Sequence, residues 1–315
     1  MKIENVDLDV KLIPFKINEE FRGNETKSIY GIEMIKAKSI WKESEKGAGV
    51  KIAVIDSGCD INHKSLKKNI IGVRNFTDED KKNPNIVIDR VGHGTHVIGT
   101  ICANGNDITG VAPGTQIYVL KAINRTGTGK LSWVINAIKY AIEKRVDIIS
   151  MSLGLSENSP KLEKVIKEAV SKNISIVCAA GNDGDGNADS FEYSYPAAYT
   201  DVISVGAVDK KGVPAKFTNS NTCIDVVAPG VNILSTYPNN KFAVLSGTSM
   251  ATPHVTGSLA LLKNWSKNEF KRNLTQEELY AQLIKHTKIL EVPRTIQGNG
   301  LVYLKDEKTV KKYKY

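Results

Sequence analysis

Long apolar runs are missing from this 315-residue chain. None approaches the ~18 uninterrupted apolar residues of a membrane-spanning helix, so no such helix is expected. The first residues, Met1-Lys2-Ile3-Glu4-Asn5-Val6-Asp7, are charged and lack the apolar stretch that a secretory signal needs. Cysteine is scarce: Cys59, Cys102, Cys178 and Cys223 lie far apart, with no Cys-x-x-Cys pair. Cys59 and Cys178 fall in apolar stretches, which suits small core residues better than disulfides. These absences together point to a cytoplasmic protein. Internal repeats and low-complexity segments are also absent. Acidic residues are outnumbered, 34 against 43 basic ones, for a formal charge of +9, with a concentration at Lys305, Lys308, Lys311, Lys312 and Lys314. A solvated surface and a basic tail account for that excess. Nucleic-acid binding would need a basic face with stacking aromatics, and no such motif occurs.

What is present is enough apolar material, 41% of residues, for one large core. Short β-branched stretches at 51–56, 116–121, 147–151, 174–178 and 202–208 read as buried parallel strands. Leu131, Val134, Ile135, Ile138 and Ile142 recur at helical spacing, as do Leu162, Val165, Ile166, Ala169 and Val170. Thr275-Gln276-Glu277-Glu278 has the pattern of a capping box that opens a last helix, running to about His286. This alternation predicts an α/β fold: a mostly parallel central sheet with helices on both faces, and chemistry near the carboxyl ends of strands.

Gly247-Thr248-Ser249-Met250-Ala251-Thr252-Pro253-His254 sets one serine between a Gly-Thr turn and a helical run over 255–262. A serine hydroxyl is a weak nucleophile until a base takes its proton and donors stabilise the oxyanion that follows. In the first turn of a helix, Ser249 would have free backbone N–H groups and the positive dipole end at hand. Alone, such a serine reads as a helix cap. Two further motifs change the weighing. Val91-Gly92-His93-Gly94-Thr95-His96-Val97 places a histidine between two glycines ahead of a helical run, where another chain can approach it. Lys51-Ile52-Ala53-Val54-Ile55-Asp56-Ser57-Gly58 ends an apolar strand in a carboxylate, which can accept a histidine Nδ1 proton and leave Nε2 as base. Asp56 as a turn cap and His93 as a loop residue are the dull alternatives. Three such elements in the order Asp, His, Ser outweigh them. His96 and His254 read as structural, and the His93–His96 spacing is not that of a two-histidine zinc helix.

On these motifs the chain resembles the subtilisin-type serine proteases, whose catalytic residues come in this same chain order. The resemblance runs from about Ile35 to Leu304 and adds Ala179-Ala180-Gly181-Asn182. It implies the three-layer subtilisin-like fold, serine endopeptidase activity on polypeptides, no cofactor for the chemistry, and an oxyanion role for the Asn182 amide. It also implies that Gly127, Thr128 and Gly129 face Ser152, Leu153 and Gly154 across a slot for a substrate strand. Turn loops are the plainer reading of those glycines. Ser152, Leu153 and Gly154 with Ala180 and Gly181 would wall the first specificity pocket, and Leu131 and Val134 the fourth, for large or apolar side chains. Asp183, Asp185, Asp189 and Glu192 in the neighbouring loop leave a preference for basic residues open.

Near the amino terminus, Lys11-Leu12-Ile13-Pro14-Phe15-Lys16 resembles the Leu-Ile-Pro-Tyr/Phe segment of intracellular subtilisins, whose short extension lies across the active site and inhibits it. Leu12 and Phe15 would fill cleft pockets, with Ile13 and Pro14 between them. Pro14, lacking an N–H and fixed in φ, would hold the adjacent bond away from Ser249. An apolar patch packed on the surface is the plain alternative. Further matches are Asp56-Ser57-Gly58-Cys59-Asp60, Asn75-Phe76-Thr77-Asp78, Ser194-Tyr195-Pro196-Ala197-Ala198-Tyr199 and Gly298-Asn299-Gly300. The resemblance therefore implies an inhibitory extension (1–30), a peptidase domain (31–304) and a basic tail (305–315), made as a zymogen and forming a homodimer.

Subtilisins also hold structural calcium. Here His63-Lys64-Ser65-Leu66 has serine at the ligand aspartate's place, and the loop Asn104-Gly105-Asn106-Asp107-Ile108-Thr109 is short, so a strong calcium site is not expected. A weaker cation site would use the carbonyls of Ala197, Tyr199 and Val202 with Asp225, Cys223 standing where another ligand would be. Two other functions compete: a processing protease dedicated to one partner, and a non-catalytic regulatory module. The set Asp56, His93, Ser249 and Asn182 argues against the second.

Overall fold

The apolar stretches of the sequence are strands lying side by side in one sheet. The computed structural model describes residues 7–22 and 29–305; most of the expected basic tail and parts of the expected extension lie outside those residues. In chain order the strands are β1 (Asp9–Leu12), β2 (Lys16–Phe21), β3 (Lys51–Asp56), β4 (Ile70–Asn75), β5 (Gln116–Lys121), β6 (Thr128–Lys130), β7 (Ile148–Met151) and β8 (Leu153–Gly154). They continue as β9 (Ser175–Ala179), β10 (Ile203–Val208), β11 (Val226–Pro229), β12 (Ile233–Tyr237), β13 (Lys241–Ser246), β14 (Thr287–Lys288) and β15 (Leu301–Val302). The helices are α1 (Tyr30–Met34), α2 (His93–Cys102), α3 (Leu131–Glu143), α4 (Pro160–Ser171), α5 (Thr248–Phe270), α6 (Gln276–Lys285) and α7 (Arg294–Gln297).

The central sheet has the order β14-β15-β11-β10-β9-β7-β3-β5-β4. Every neighbouring pair from β15 to β4 is parallel, and only β14 runs antiparallel, at one edge. Parallel strands need both faces covered, and the pleat of β3 shows how that is met. Ile52 and Val54 join the core that contains Val97, Ile98 and Ile101 of α2 and Val255 and Leu259 of α5. Ala53 and Ile55 point the other way, into the core built with Leu131, Val134 and Ile138 of α3 and Leu162 and Ile166 of α4. The expected three-layer α/β fold is what forms.

Local signals set the helix ends. Ser159 caps α4 by accepting from Leu162 N, and Thr275 caps α6 in a full capping box with Glu278. The strands expected at 147–151, 174–178 and 202–208 each begin one residue later than their sequence pattern. All four cysteines are free; three are buried and Cys223 is half-buried. Among the described residues, no helix is long and apolar enough to cross a membrane.

Two small sheets flank the central one, and both contain the amino-terminal segment. β1 lies between β6 and β8, antiparallel to each. β2 pairs antiparallel with β13, whose other side is taken by β12.

Candidate active site

Asp56 ends β3 and is buried. Its Oδ1 accepts from Ser57 N at 2.7 Å and faces His93 Nδ1 at 2.8 Å, with Oδ2 at 3.0 Å from the same nitrogen. An Nδ1–H donating to this carboxylate leaves Nε2 as the proton acceptor of the ring. His93 is the first residue of α2, and Gly92 before it takes a left-handed φ of 89°. A Cβ on Gly92 would lie 2.1 Å from the Tyr237 ring. A Cβ on Gly94 would lie 2.2 Å from Gly58 O and 3.2 Å from Asp56 Oδ1, so the glycine lets the helix press on the strand end.

Asp89, four residues before His93, fixes this junction. Its Oδ1 accepts from Val91 N at 3.1 Å, Gly92 N at 2.8 Å and Ser57 Oγ at 2.8 Å. Its Oδ2 accepts from Thr95 N at 2.9 Å and Thr95 Oγ1 at 2.7 Å, taking up the free N–H groups of the helix start. Lys121, fully buried at the end of β5, donates to Ser57 O at 2.6 Å and Ile123 O at 3.0 Å. It faces Glu79 Oε2 at 3.2 Å, which balances its buried charge. Sequence reading passed over Asp89, although an acidic residue just ahead of a helix start is a recognised signal.

Ser249 is the second residue of α5, after Gly247 and Thr248, and is buried. Its Oγ donates to Ser152 O at 3.4 Å, while His93 Nε2 is buried with no hydrogen-bond partner. Asn182 follows the end of β9 at the same turn. Its Oδ1 accepts from Thr248 N at 2.9 Å and Thr248 Oγ1 at 2.8 Å, which aims its Nδ2 at the carbonyl of Pro14. Ala180 N donates to Val205 O at 3.0 Å and Gly181 N to Thr248 Oγ1 at 3.3 Å, bracing strand end and helix start together.

The slot between β6 and β8 holds an extended strand, and that strand is the chain's own. Asp9, Val10 and Lys11 face Lys130, Gly129 and Thr128, while Lys11 and Leu12 face Gly154 and Leu153. Leu12 N donates to Gly127 O at 3.0 Å and Ile13 N to Ser152 O at 3.4 Å. Val10 and Leu12 are buried in the core that includes Leu131 and Val134. The Ile13 Cδ1 comes within 2.8 Å of where a Gly154 Cβ would stand, so that glycine makes room for it. Phe15 then lies on His93, ring centroids 4.7 Å apart.

His96 and His254 are structural, as their places in the sequence indicate. His96 Nε2 faces Ile233 O at 2.9 Å and Ala243 O at 3.2 Å, and burial pulls its pKa down to about 3. His254 Nδ1 faces Met250 O at 2.8 Å, and burial lowers its pKa to about 4. Among the described residues, no three His, Cys, Asp or Glu side chains are grouped to hold a metal. Asp225 accepts from Tyr280 Oη at 2.6 Å and Ser204 N at 2.8 Å, and burial raises its pKa. Tyr199 O accepts from Val202 N at 3.3 Å. At Ser65 the hydroxyl stands where a Gly105 Cβ would be, and Asp107, the one carboxylate of the short loop, pairs with the Lys64 ammonium.

A serine at a helix start, an imidazole held by a carboxylate and a slot that takes an extended chain are the parts a serine peptidase uses. The chain belongs to the subtilase family, whose model matches residues 47–308. It is 50% identical over 298 residues to an intracellular serine protease of Paenibacillus polymyxa, covering 94% of this chain and 90% of that one. It is 47% identical over 300 residues to the major intracellular serine protease of Bacillus subtilis (strain 168), covering 94% and 93%. With the subtilisin of Bacillus pumilus it shares 41% over 257 residues, 80% of this chain and 91% of that one.

Proposed function

We propose that this subtilisin-like serine protease is made as a zymogen, with residues of its own extension held in the cleft as a pseudo-substrate. The observation that carries the reading is the path of the segment: β1 in the slot, the Pro14 carbonyl at Asn182 Nδ2, and Phe15 over His93. In the reaction, Ser249 Oγ attacks the carbonyl carbon of the scissile bond while His93 Nε2 takes its proton. Asp56 holds the imidazole in that tautomer and stabilises the imidazolium. Asn182 Nδ2 donates to the oxyanion. His93 returns the proton to the leaving amine, and an acyl-enzyme on Ser249 remains. Water, deprotonated by the same imidazole, then releases the acid and restores Ser249. Phe15 must leave before His93 can serve Ser249.

Val10, Leu12 and Ile13 are the side chains that the non-primed pockets now hold, which favours apolar residues before the cut. The names of the two intracellular relatives support a cytoplasmic site of action, and the homodimer rests on the resemblance alone. Three parts follow: an inhibitory extension over 1–30, a catalytic domain over 31–304 and a basic tail. Deleting Met1–Asn18 raises peptidase activity and Ser249-dependent labelling by a fluorophosphonate. An unchanged rate in the truncated protein removes the zymogen reading, and absent labelling removes the triad.

A further inference from the structure

The second half of the amino-terminal segment makes contacts that covering His93 does not require. β2 adds to the outer edge of β13, with Lys16, Ile17, Glu19, Glu20 and Phe21 facing Ser246, Leu245, Val244, Ala243 and Phe242. Asn18 is bulged out of this ladder. Its side-chain amide donates to Asn232 Oδ1 at 2.6 Å and Ser246 Oγ at 2.8 Å. The Glu20 carboxylate pairs with the Lys241 ammonium, and the Phe21 ring centroid lies 6.1 Å from that of Phe242. Residues 16–20 are exposed and only Phe21 packs against the core, so core burial does little to hold β2 in place. Edge pairing and these side-chain contacts do.

Direction gives this edge its meaning. The segment runs from the β6–β8 slot, past Asn182 at the Pro14 carbonyl, and on to β13. A polypeptide whose scissile carbonyl sits at Asn182, with its acyl side in the same slot, must run the same way. Its leaving side then emerges at β13. That strand is an open edge once β2 is gone, because β12 covers only its other side.

We infer that the β13 edge is a binding strand for the leaving side of polypeptide substrates, reaching the seventh residue beyond the cut. The inference rests on the endopeptidase reading above. Substrate residues add there by β-augmentation, with main-chain hydrogen bonds giving affinity and alternate side chains giving preference. The sixth residue beyond the cut takes the place of Glu20 beside Lys241, and the seventh that of Phe21 beside Phe242. Acidic and then aromatic residues are preferred there. Extended, unfolded chains are thus better substrates than short peptides.

The test uses full-length protein, incubated until mass spectrometry shows its own trimming complete. It is offered quenched fluorescent peptides with identical residues before the cut and either two or seven after it, the longer ones ending Glu-Glu-Phe or Lys-Lys-Phe. The Glu-Glu-Phe peptide gains about tenfold in kcat/KM over the short one, mainly through KM, because the added contacts lie away from the reacting atoms. The Lys-Lys-Phe peptide falls about threefold below it, as a part-exposed ion pair allows. Lys241→Glu reverses the order of the two long peptides. Equal kcat/KM for short and long peptides, with the short one cleaved, overturns the leaving-side strand and leaves the peptidase reading standing. No cleavage of any peptide overturns both.

Discussion

Phe15 lies on the imidazole of His93, ring centroids 4.7 Å apart and planes tilted by 52°. Beneath it His93 Nε2 is buried without a hydrogen-bond partner, and the Ser249 hydroxyl turns to the Ser152 carbonyl instead. The imidazole is covered, and the neighbouring serine hydroxyl is engaged elsewhere.

Replacing Phe15 should loosen the segment without touching the machinery beneath. Losing a half-buried aromatic weakens docking by about 1–2 kcal/mol, so the open cleft becomes roughly tenfold more populated. Full-length Phe15→Ala should label with a fluorophosphonate about that much faster than wild type. An unchanged labelling rate would show that Phe15 is not what closes the site.

Asp56→Asn leaves the space filled but presents an amide where His93 Nδ1–H needs an acceptor. The wrong tautomer then faces Ser249, and kcat falls by about 10⁴. Asn182→Ala removes the oxyanion donor and lowers kcat by about 10²–10³, a range established in this chain's own family. Single-turnover rates on trimmed enzyme separate these losses from incomplete activation. A loss under tenfold for either variant contradicts its role.

Gly94→Ala drives a methyl into Gly58 O and toward Asp56 Oδ1. Such overpacking costs about 1–3 kcal/mol and shifts α2 away from β3. Activity should fall further than stability, because the His93–Asp56 contact spans that same junction. Denaturant midpoints and kcat measured together test this. Wild-type values for both would show that the junction has slack.

His96 and His254, with pKa values drawn down to about 3 and about 4 by burial, stay neutral in the folded protein as the pH drops. The unfolded chain binds protons at both near its ordinary value of about 6.5. The unfolded state therefore holds more protons as pH falls from about 6.5 toward 4, and stability declines over that window. Two such groups set a slope of up to about 2.7 kcal/mol per pH unit. Urea midpoints between pH 7 and pH 5 should fall steadily, whereas a flat profile would count against both shifts.

Much of the site was legible because each part has a local signature. Asp56 closes an apolar strand, His93 stands between glycines at a helix start, and Ser249 follows a Gly-Thr turn. Each is where the sequence pattern indicates. The Asp89 network was overlooked because its donors come from residues 57, 91, 92 and 95, and only the folded junction gathers them. β2 carried no readable signal. Lys-Ile-Asn-Glu-Glu-Phe is mostly polar and exposed, with no alternation to mark it as a strand.

By itself the sequence determined the layered α/β fold. Its strands are apolar on both faces, and only a sheet covered twice buries such strands. It determined as well which residue types stand at the strand and helix ends. Tertiary structure alone decided that Asp56 meets His93, that Asn182 is aimed by Thr248, and that the chain's own strands fill the slot and the β13 edge. Those are contacts between distant segments, made through backbone edges and close approach, which no local pattern of residues encodes.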